Sequence, residues 1–278
     1  MIQYRQIKNN VFTGIIIFFS VLSVIPLLFI LGYLISQGLS SINLAFFWQT
    51  PRPLGEMGGG IANALLGSLL LILIASICAL PIGIAAGIYL AEKKDSKLAE
   101  WVRLCVEILQ GIPSIVIGVV AYAWLVLPFK TFSAVSGGLA LALMMLPIIV
   151  RTTEETLKMI PGSLKEASLA LGVPYYRTIL RVILPAGSSG IVTGVLLSVS
   201  RIAGETAPLL FTAFGSPYIS TALNKPIESL PHLIYYYATS PYDEWHRLAW
   251  GASFVLVLLV LSLNVIAKVV MRKWKVQF

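Results

Sequence analysis

Arg201 and Glu205 stand out as chemistry-bearing residues because they are ionisable groups set inside an apolar run. That run reads Ser198-Val-Ser-Arg201-Ile-Ala-Gly-Glu205-Thr-Ala-Pro208-Leu-Leu-Phe-Thr-Ala213. Four residues apart, the two would share a helix face. Charge within such a segment is costly and usually faces a protein-lined cavity. The guanidinium fork suits a phosphate-like oxyanion, which it grips through bidentate, charge-assisted hydrogen bonds. An arginine alone would hold the anion too tightly. A neighbouring carboxylate weakens that grip, and conduction needs a site that is favourable to enter yet easy to leave. The other reading is a charge pair that only ties two helices together. Arg151, at the end of an earlier apolar run, is a second candidate. It is either an anion contact at the exit of a path or a side chain snorkelling to the headgroups.

Other chemistries find little support. His232 and His246 lack acidic or cysteine companions at ligand spacing, so they read as loop residues and no metal site is expected. Cys78 and Cys105 match no ligand spacing and read as packing residues. There is no nucleophile–base pair, Walker loop or glycine-rich nucleotide fingerprint. No catalytic residue and no cofactor are therefore expected. If ATP drives this protein, another subunit binds it.

The elements that position these residues are membrane helices. Of 278 residues, 58% are hydrophobic and 12% charged, and mean hydropathy is +0.88. A water-soluble domain of this size needs far more charge on its surface. No charged residue occurs between Lys8 and Arg52, or between Glu56 and Glu92. Each gap exceeds the ~20 residues a helix needs to cross a bilayer. The pattern predicts an all-α membrane protein of one domain, 1–278, with six transmembrane helices at about 12–36, 63–91, 108–128, 134–151, 187–213 and 249–271. The first run, Val11 to Ile35, is too long for a signal core and lacks a cleavage site, so it is expected to remain as a span. The net charge of +8 is unevenly placed. With both termini cytoplasmic, fifteen of the twenty Lys and Arg fall inside, while Arg52, Lys130, Lys225 and Arg247 fall outside. That asymmetry is the positive-inside rule, and it argues against a nucleic-acid partner.

Between the spans, 37–62 is an outside connection ending in Gly55-Glu-Met-Gly-Gly-Gly60, a flexible run. The stretch Glu92–Arg103 is either a helix–helix connection or an amphipathic surface helix. Gly111-Ile-Pro-Ser114 interrupts the third span near its start, and Pro81, Pro147 and Pro208 fall in or near others. They mark packed kinks or moving, pore-lining parts. In the outside loop 214–248, Ile227, Leu230, Ile234 and Tyr237 recur at helical spacing near Tyr235, Tyr236, Trp245 and Trp250. The pattern suits a short helix at the membrane surface.

The inside loop 152–186 is long for a link between neighbouring helices. Its centre reads Pro161-Gly-Ser-Leu-Lys-Glu-Ala-Ser-Leu-Ala-Leu-Gly172-Val-Pro174. Ser163 and Glu166 form an S-x-x-E capping box, Gly172 suits the left-handed residue past the last turn, and Pro174 stops continuation. Leu164, Ala167 and Leu171 share one side. A helix this short must dock on its own bundle or in a partner's groove to persist. The loop resembles the cytoplasmic EAA loop of ABC importer permeases, E-A-A-x3-G-x9-I-x-L-P. Here it is Glu166-Ala-Ser-x3-Gly172-x9-Val182-x-Leu184-Pro185, with Ser168 and Val182 as departures. The resemblance implies a type I ABC importer permease fold. It also implies that Glu166, Ala167, Ser168 and Gly172 sit on a coupling helix against the ATPase subunit.

The stretch from Arg201 to Ala213 closely resembles the fifth span of phosphate permeases of the PstA type. Gly111-Ile-Pro-Ser-Ile-Val-Ile-Gly118 and Leu146-Pro-Ile-Ile-Val-Arg-Thr-Thr-Glu-Glu155 look like the same family. The resemblance covers roughly 107–214. It implies inward transport of inorganic phosphate across the inner membrane by an assembly with three kinds of partner. These are a second permease (PstC-like), an ATPase subunit dimer (PstB-like) and an extracytoplasmic phosphate-binding protein (PstS-like). Rival readings are a permease for sulfate, molybdate or phosphonate, and an ion-coupled secondary carrier. Carriers usually show inverted repeats and discontinuous helices, neither of which is evident in the sequence.

Overall fold

A computed structural model of the chain describes residues 2–53, 56 and 58–272. Gly55 and Met57 of the glycine-rich run, and Lys273 and Lys275 of the inside cations, lie outside the described residues. Helix α1 is a 40-residue rod, Ile2–Ser41. A 3-10 turn, Leu44–Phe47, follows, its start capped by Asn43 Oδ1, which accepts from the Phe46 N–H at 2.8 Å. Then come α2 (Ala62–Glu92), α3 (Lys97–Gly111) and α4 (Ser114–Ala121), the last extended by a π-helical turn, Tyr122–Val126. Helix α5 (Ala134–Lys158) leads to the short α6 (Gly162–Ala170), α7 (Tyr175–Thr178) and α8 (Leu184–Ala186), with a π-helical turn between α7 and α8. Helices α9 (Ser188–Ala203), α10 (Ala207–Thr212), α11 (Leu230–Ala238) and α12 (Asp243–Arg272) complete the described chain.

Helices α1, α2, α5 and α12 are long and apolar enough to cross a membrane, and two bent pairs bring the number to six if each pair is one span. The third expected span, 108–128, is not a single rod. Helix α3 begins at Lys97, inside the stretch read as a connection or a surface helix, and the chain turns by 107° between α3 and α4. Pro113 explains the bend. Its ring disfavours helical geometry at the preceding residue, and Ile112 is extended at φ −73°, ψ 129°. The expected span 187–213 is shifted: the second bent pair joins Tyr175–Ala186 to Ser188–Ala203 at 68°, so it begins inside the stretch read as the loop 152–186, and the chain breaks again before α10. Pro208 would clash with the Gly204 carbonyl in a continuous helix, so α9 ends at Ala203 and α10 starts afresh with Pro208 in its first turn. By contrast Pro81 and Pro147 lie within the unbroken α2 and α5.

Helix α5 is the axis of the bundle. Helix α2 approaches it with Gly83 and Gly87, which lie on Ile149 and Thr153. Helix α9 approaches with Gly190 and Gly194, which lie on Thr156 and Thr152. A Cβ at Gly87 would stand 2.5 Å from Thr153 Cβ, and one at Gly194 would stand 2.0 Å from Thr152 Oγ1. Lipid tails are as apolar as leucine, so membrane helices associate through such close packing rather than through exclusion of water. Around this axis Leu71, Ala75 and Ala79 of α2 bury with Leu141, Met145 and Ile149 of α5 and Ile202 of α9. A second cluster, at the far end of α2, joins Phe46 and Ile61 to Leu230 and Leu233 of α11 and Leu248 of α12. Helix α11 thus forms within the expected surface segment but docks on its own bundle. Ile227 precedes it, bridged to Phe214. Trp245 and Trp250 belong to α12, which starts six residues before the expected span.

Candidate functional site

Arg201 occupies the last turn of α9 and Glu205 lies in the break beyond the Gly204 cap. They are not on one helix face, since the helix ends between them. The turn still brings them together, with Arg201 Nε 3.6 Å from Glu205 Oε1. The arginine side chain is 51% exposed and the glutamate 19%. Ser189, Thr193, Leu197 and Arg201 recur every four residues and are all exposed, while Ser198 and Ile202 of the same helix are buried. The guanidinium therefore sits on a stripe of α9 that its own chain leaves uncovered. Glu205, its carboxylate partner among the described residues, is held at a distance that leaves the fork room for another acceptor.

Arg151 is engaged elsewhere. Its Nε donates to Glu155 Oε1 at 2.7 Å, and its Nη1 is 4.0 Å from Glu107 Oε1 on α3. One guanidinium flanked by two carboxylates presents net negative charge, so this place attracts an oxyanion less than Arg201 does.

A buried charge cluster escaped the sequence reading. Glu154, 1% exposed, accepts from Arg103 Nε at 2.8 Å and from Lys158 Nζ at 2.5 Å. The other two guanidinium nitrogens donate to the Leu90 carbonyl at 3.0 Å and the Lys94 carbonyl at 3.1 Å. Arg103 thereby satisfies one carbonyl in the last turn of α2, where a helix leaves them without partners, and one just beyond the helix. One side chain of α3 ties α2 to α5. The Glu154–Lys158 spacing was visible in the sequence, but the partner fifty-one residues away was not.

Helix α6 is the short helix expected in the loop, with a different start. The capping box does not form: Pro161 takes the N-cap position, no side chain caps the helix, and Ser163 lies one residue inside it. The end is as expected. Gly172 has φ +76°, and the Gly172 and Val173 N–H groups donate back to the Leu169 and Ser168 carbonyls at 2.9 and 3.3 Å. Glu166, Ala167 and Leu171 are exposed, Leu164 is partly covered, and Ser168 turns inward to share a 2.9 Å hydrogen bond with Thr178. Lys165 donates to Glu92 and to Tyr175 Oη, and Tyr175 Oη also donates to Glu92. Burial pushes the Lys165 ammonium down, but its hydrogen bonds to Glu92 and Tyr175 and the Glu92 charge outweigh this and hold it above the usual lysine range.

Both histidines do have an acidic companion: His232 Nδ1 is 2.6 Å from Oε1 of Glu228, four residues before it, and His246 Nδ1 is 3.9 Å from Asp243 Oδ1. Among the described residues no group of three His, Cys, Asp or Glu side chains could hold a metal ion.

This architecture, an α-helical bundle around one axial helix with a short helix projecting from one end, is that of a type I ABC importer permease. One solved chain of the MetNI methionine ABC transporter, in an inward-facing conformation, superposes with a TM-score of 0.64 at 20% identity, covering 84% of this chain and all of that one. The chain belongs to the family of binding-protein-dependent transport system inner membrane components, which matches residues 83–275. Within it the full-length similarity is to PstA permeases. The phosphate transport system permease protein PstA of Yersinia pestis is 44% identical over 273 residues, 98% of this chain and 92% of that protein. PstA of Haemophilus influenzae is 40% identical over 267 residues, 95% of this chain and 94% of that protein. PstA 1 of Mycobacterium tuberculosis is 35% identical over 274 residues, 96% and 88% respectively. The protein is a multi-pass membrane component of an ABC transporter.

Proposed function

We propose that this chain is one permease subunit of an ATP-driven importer that moves inorganic phosphate inward, with Arg201 and Glu205 facing the path. The observation that carries the reading is the half-exposed Arg201 guanidinium on the uncovered stripe of α9, beside a break in the helix. An unwound segment within a membrane bundle is tolerated where it is buried in protein or lines a cavity. The oxyanion chemistry of arginine alone does not choose among phosphate, sulfate, molybdate and phosphonate. The full-length similarity to PstA proteins favours phosphate. The break at Gly204–Thr206 is the kind of discontinuity seen in secondary carriers, but family membership favours ATP drive.

On this reading the partners are a second permease (PstC-like), an ATPase dimer (PstB-like) that binds and hydrolyses the ATP, and a phosphate-binding protein (PstS-like) on the outer face. Both termini and α6 lie on the cytoplasmic side. Glu166, Ala167, Ser168 and Gly172 belong to the motor contact, with Glu166 and Ala167 touching it and Ser168 and Gly172 shaping the helix. The chain itself carries no catalytic group and needs no cofactor.

The test is uptake of labelled phosphate, normalised to assembled complex and challenged with unlabelled sulfate, molybdate and phosphonate. Arg201→Gln should abolish uptake, and Glu205→Gln should slow turnover because the arginine then holds its anion unopposed. A structural pair predicts the reverse pattern, with assembly lost in each single variant and restored in the double neutral one. Normal phosphate uptake in the double variant would refute a role for these charges on the path.

A further inference from the structure

Helix α6 projects from the bundle, so a displacement of it must be transmitted through whatever joins it to the spans. Apolar packing joins it weakly. Leu169 and Leu171 are exposed, and a cavity of about 320 Å³ lies between the start of α6 and the ends of α2 and α5. Polar ties bridge that space. Glu92, the last residue of α2, accepts from the Lys165 ammonium in the first half of α6 and from the Tyr175 hydroxyl at the start of α7. Lys165 Nζ is also 3.2 Å from Tyr175 Oη and 4.8 Å from the centroid of its ring. The three side chains close a ring that grips α6 on both sides of its Gly172 turn. The Ser168–Thr178 bond joins α6 to Tyr175–Ala186, an arm of the bent span that continues into α9, and among the ties described the Glu92 ring is the one that reaches α2.

We propose that Glu92 is a positioning residue for coupling: its carboxylate fastens α6 to α2, so that movement of the short helix at the ATPase is passed into the span rather than absorbed by the loop. This rests on the function proposed above. The geometry suits the task. Glu92 ends a 31-residue helix whose middle packs into the bundle through Leu71, Ala75 and Ala79. A rigid rod held at one end by charge-assisted hydrogen bonds carries displacement along its length. The Glu92 side chain is 15% exposed and Lys165 30%, so the pair is partly shielded from screening.

The experiment measures anion moved per ATP hydrolysed by the complete transporter in proteoliposomes, a ratio that does not depend on how much complex is recovered. Glu92→Gln keeps shape and removes charge; Tyr175→Phe removes one hydroxyl and keeps the ring over Lys165. The ratio should fall roughly tenfold in each variant, the low end of what loss of a hydrogen bond to a charged group costs. Hydrolysis should continue in both. Glu92→Asp should recover part of the loss. An unchanged ratio in Glu92→Gln overturns the proposal. Should that variant not assemble, an unchanged ratio in Tyr175→Phe does so. A wild type that carries another oxyanion refutes the phosphate reading alone, and the ratio is then taken with that anion.

Discussion

Removing Arg103 should destabilise the protein far more than removing Lys158, although both cations contact the same Glu154 oxygen. Glu154 is 1% exposed, so its charge must be compensated by partners rather than by water. Lys158 is 35% exposed and supplies one hydrogen bond. If it becomes methionine, Arg103 still faces the carboxylate at 2.8 Å, and the expected cost is about 1–2 kcal/mol for one lost charge-assisted bond. Arg103 is 22% exposed and makes three bonds, one to the carboxylate, one to the Leu90 carbonyl in the last turn of α2 and one to the Lys94 carbonyl beyond it. Arg103→Met removes all three bonds and leaves Glu154 with Lys158 alone, a loss of about 3–5 kcal/mol at about 1–1.5 kcal/mol a bond. Every 1.36 kcal/mol is a factor of ten, so this is roughly two to four powers of ten in the native population. The total stability of a domain is only about 5–15 kcal/mol, and the variant should therefore sit near its limit. Thermal unfolding of the detergent-solubilised complex, followed by loss of the monodisperse chromatographic peak, reads the ranking directly. Equal shifts for the two variants, or no shift in Glu154→Gln, would show that Glu154 is reached by water and that the reasoning is wrong.

Gly172→Val forces a branched side chain to φ +76°, a strain of roughly 1–2 kcal/mol, and should uncouple hydrolysis from transport while the chain still inserts. Uptake at wild-type rate and normal expression would contradict this. Gly194→Leu should separate α9 from α5 and abolish assembly, since even a Cβ there meets Thr152 Oγ1 at 2.0 Å; Gly194→Ala combined with Thr152→Gly should assemble again, as co-purification would report. Arg151→Lys keeps charge between Glu107 and Glu155 and should leave uptake intact, whereas loss of uptake with normal assembly would mark the guanidinium fork as an exit contact.

Much of the bundle was legible because its signals are local. Charge-free runs located α1, α2, α5 and α12, and Gly172 announced its left-handed turn through its place between a helical pattern and Pro174. Misreadings arose where two local rules competed. Ser163 and Glu166 satisfied the capping-box spacing, but the helix starts two residues earlier, with Pro161 at the N-cap, and leaves Ser163 inside it. Hydropathy read straight across Pro113 and Pro208, because apolarity does not register the missing N–H that ends a helix. The Arg103–Glu154 and Glu92–Lys165 pairs were beyond reach for another reason. Each joins residues more than fifty positions apart, and only the packing of α2, α3, α5 and α6 makes them neighbours.

The docking of α1 has a consequence for the order in which this protein is finished. Its buried contacts are few and late. Leu34 and Gly38 are covered, Gly38 lies under Phe254, and Tyr33 meets Trp250 edge-on at 5.1 Å. Those partners on α12 are made more than two hundred residues after Gly38. At about 5–20 residues per second, a ribosome needs roughly 10–40 s to cover that distance. For that interval the first helix to emerge has lipid, or whatever factor attends insertion, where its own chain will later lie. A ribosome that stalls anywhere before Trp250 leaves the face of α1 around Tyr33 and Gly38 without its partners on α12.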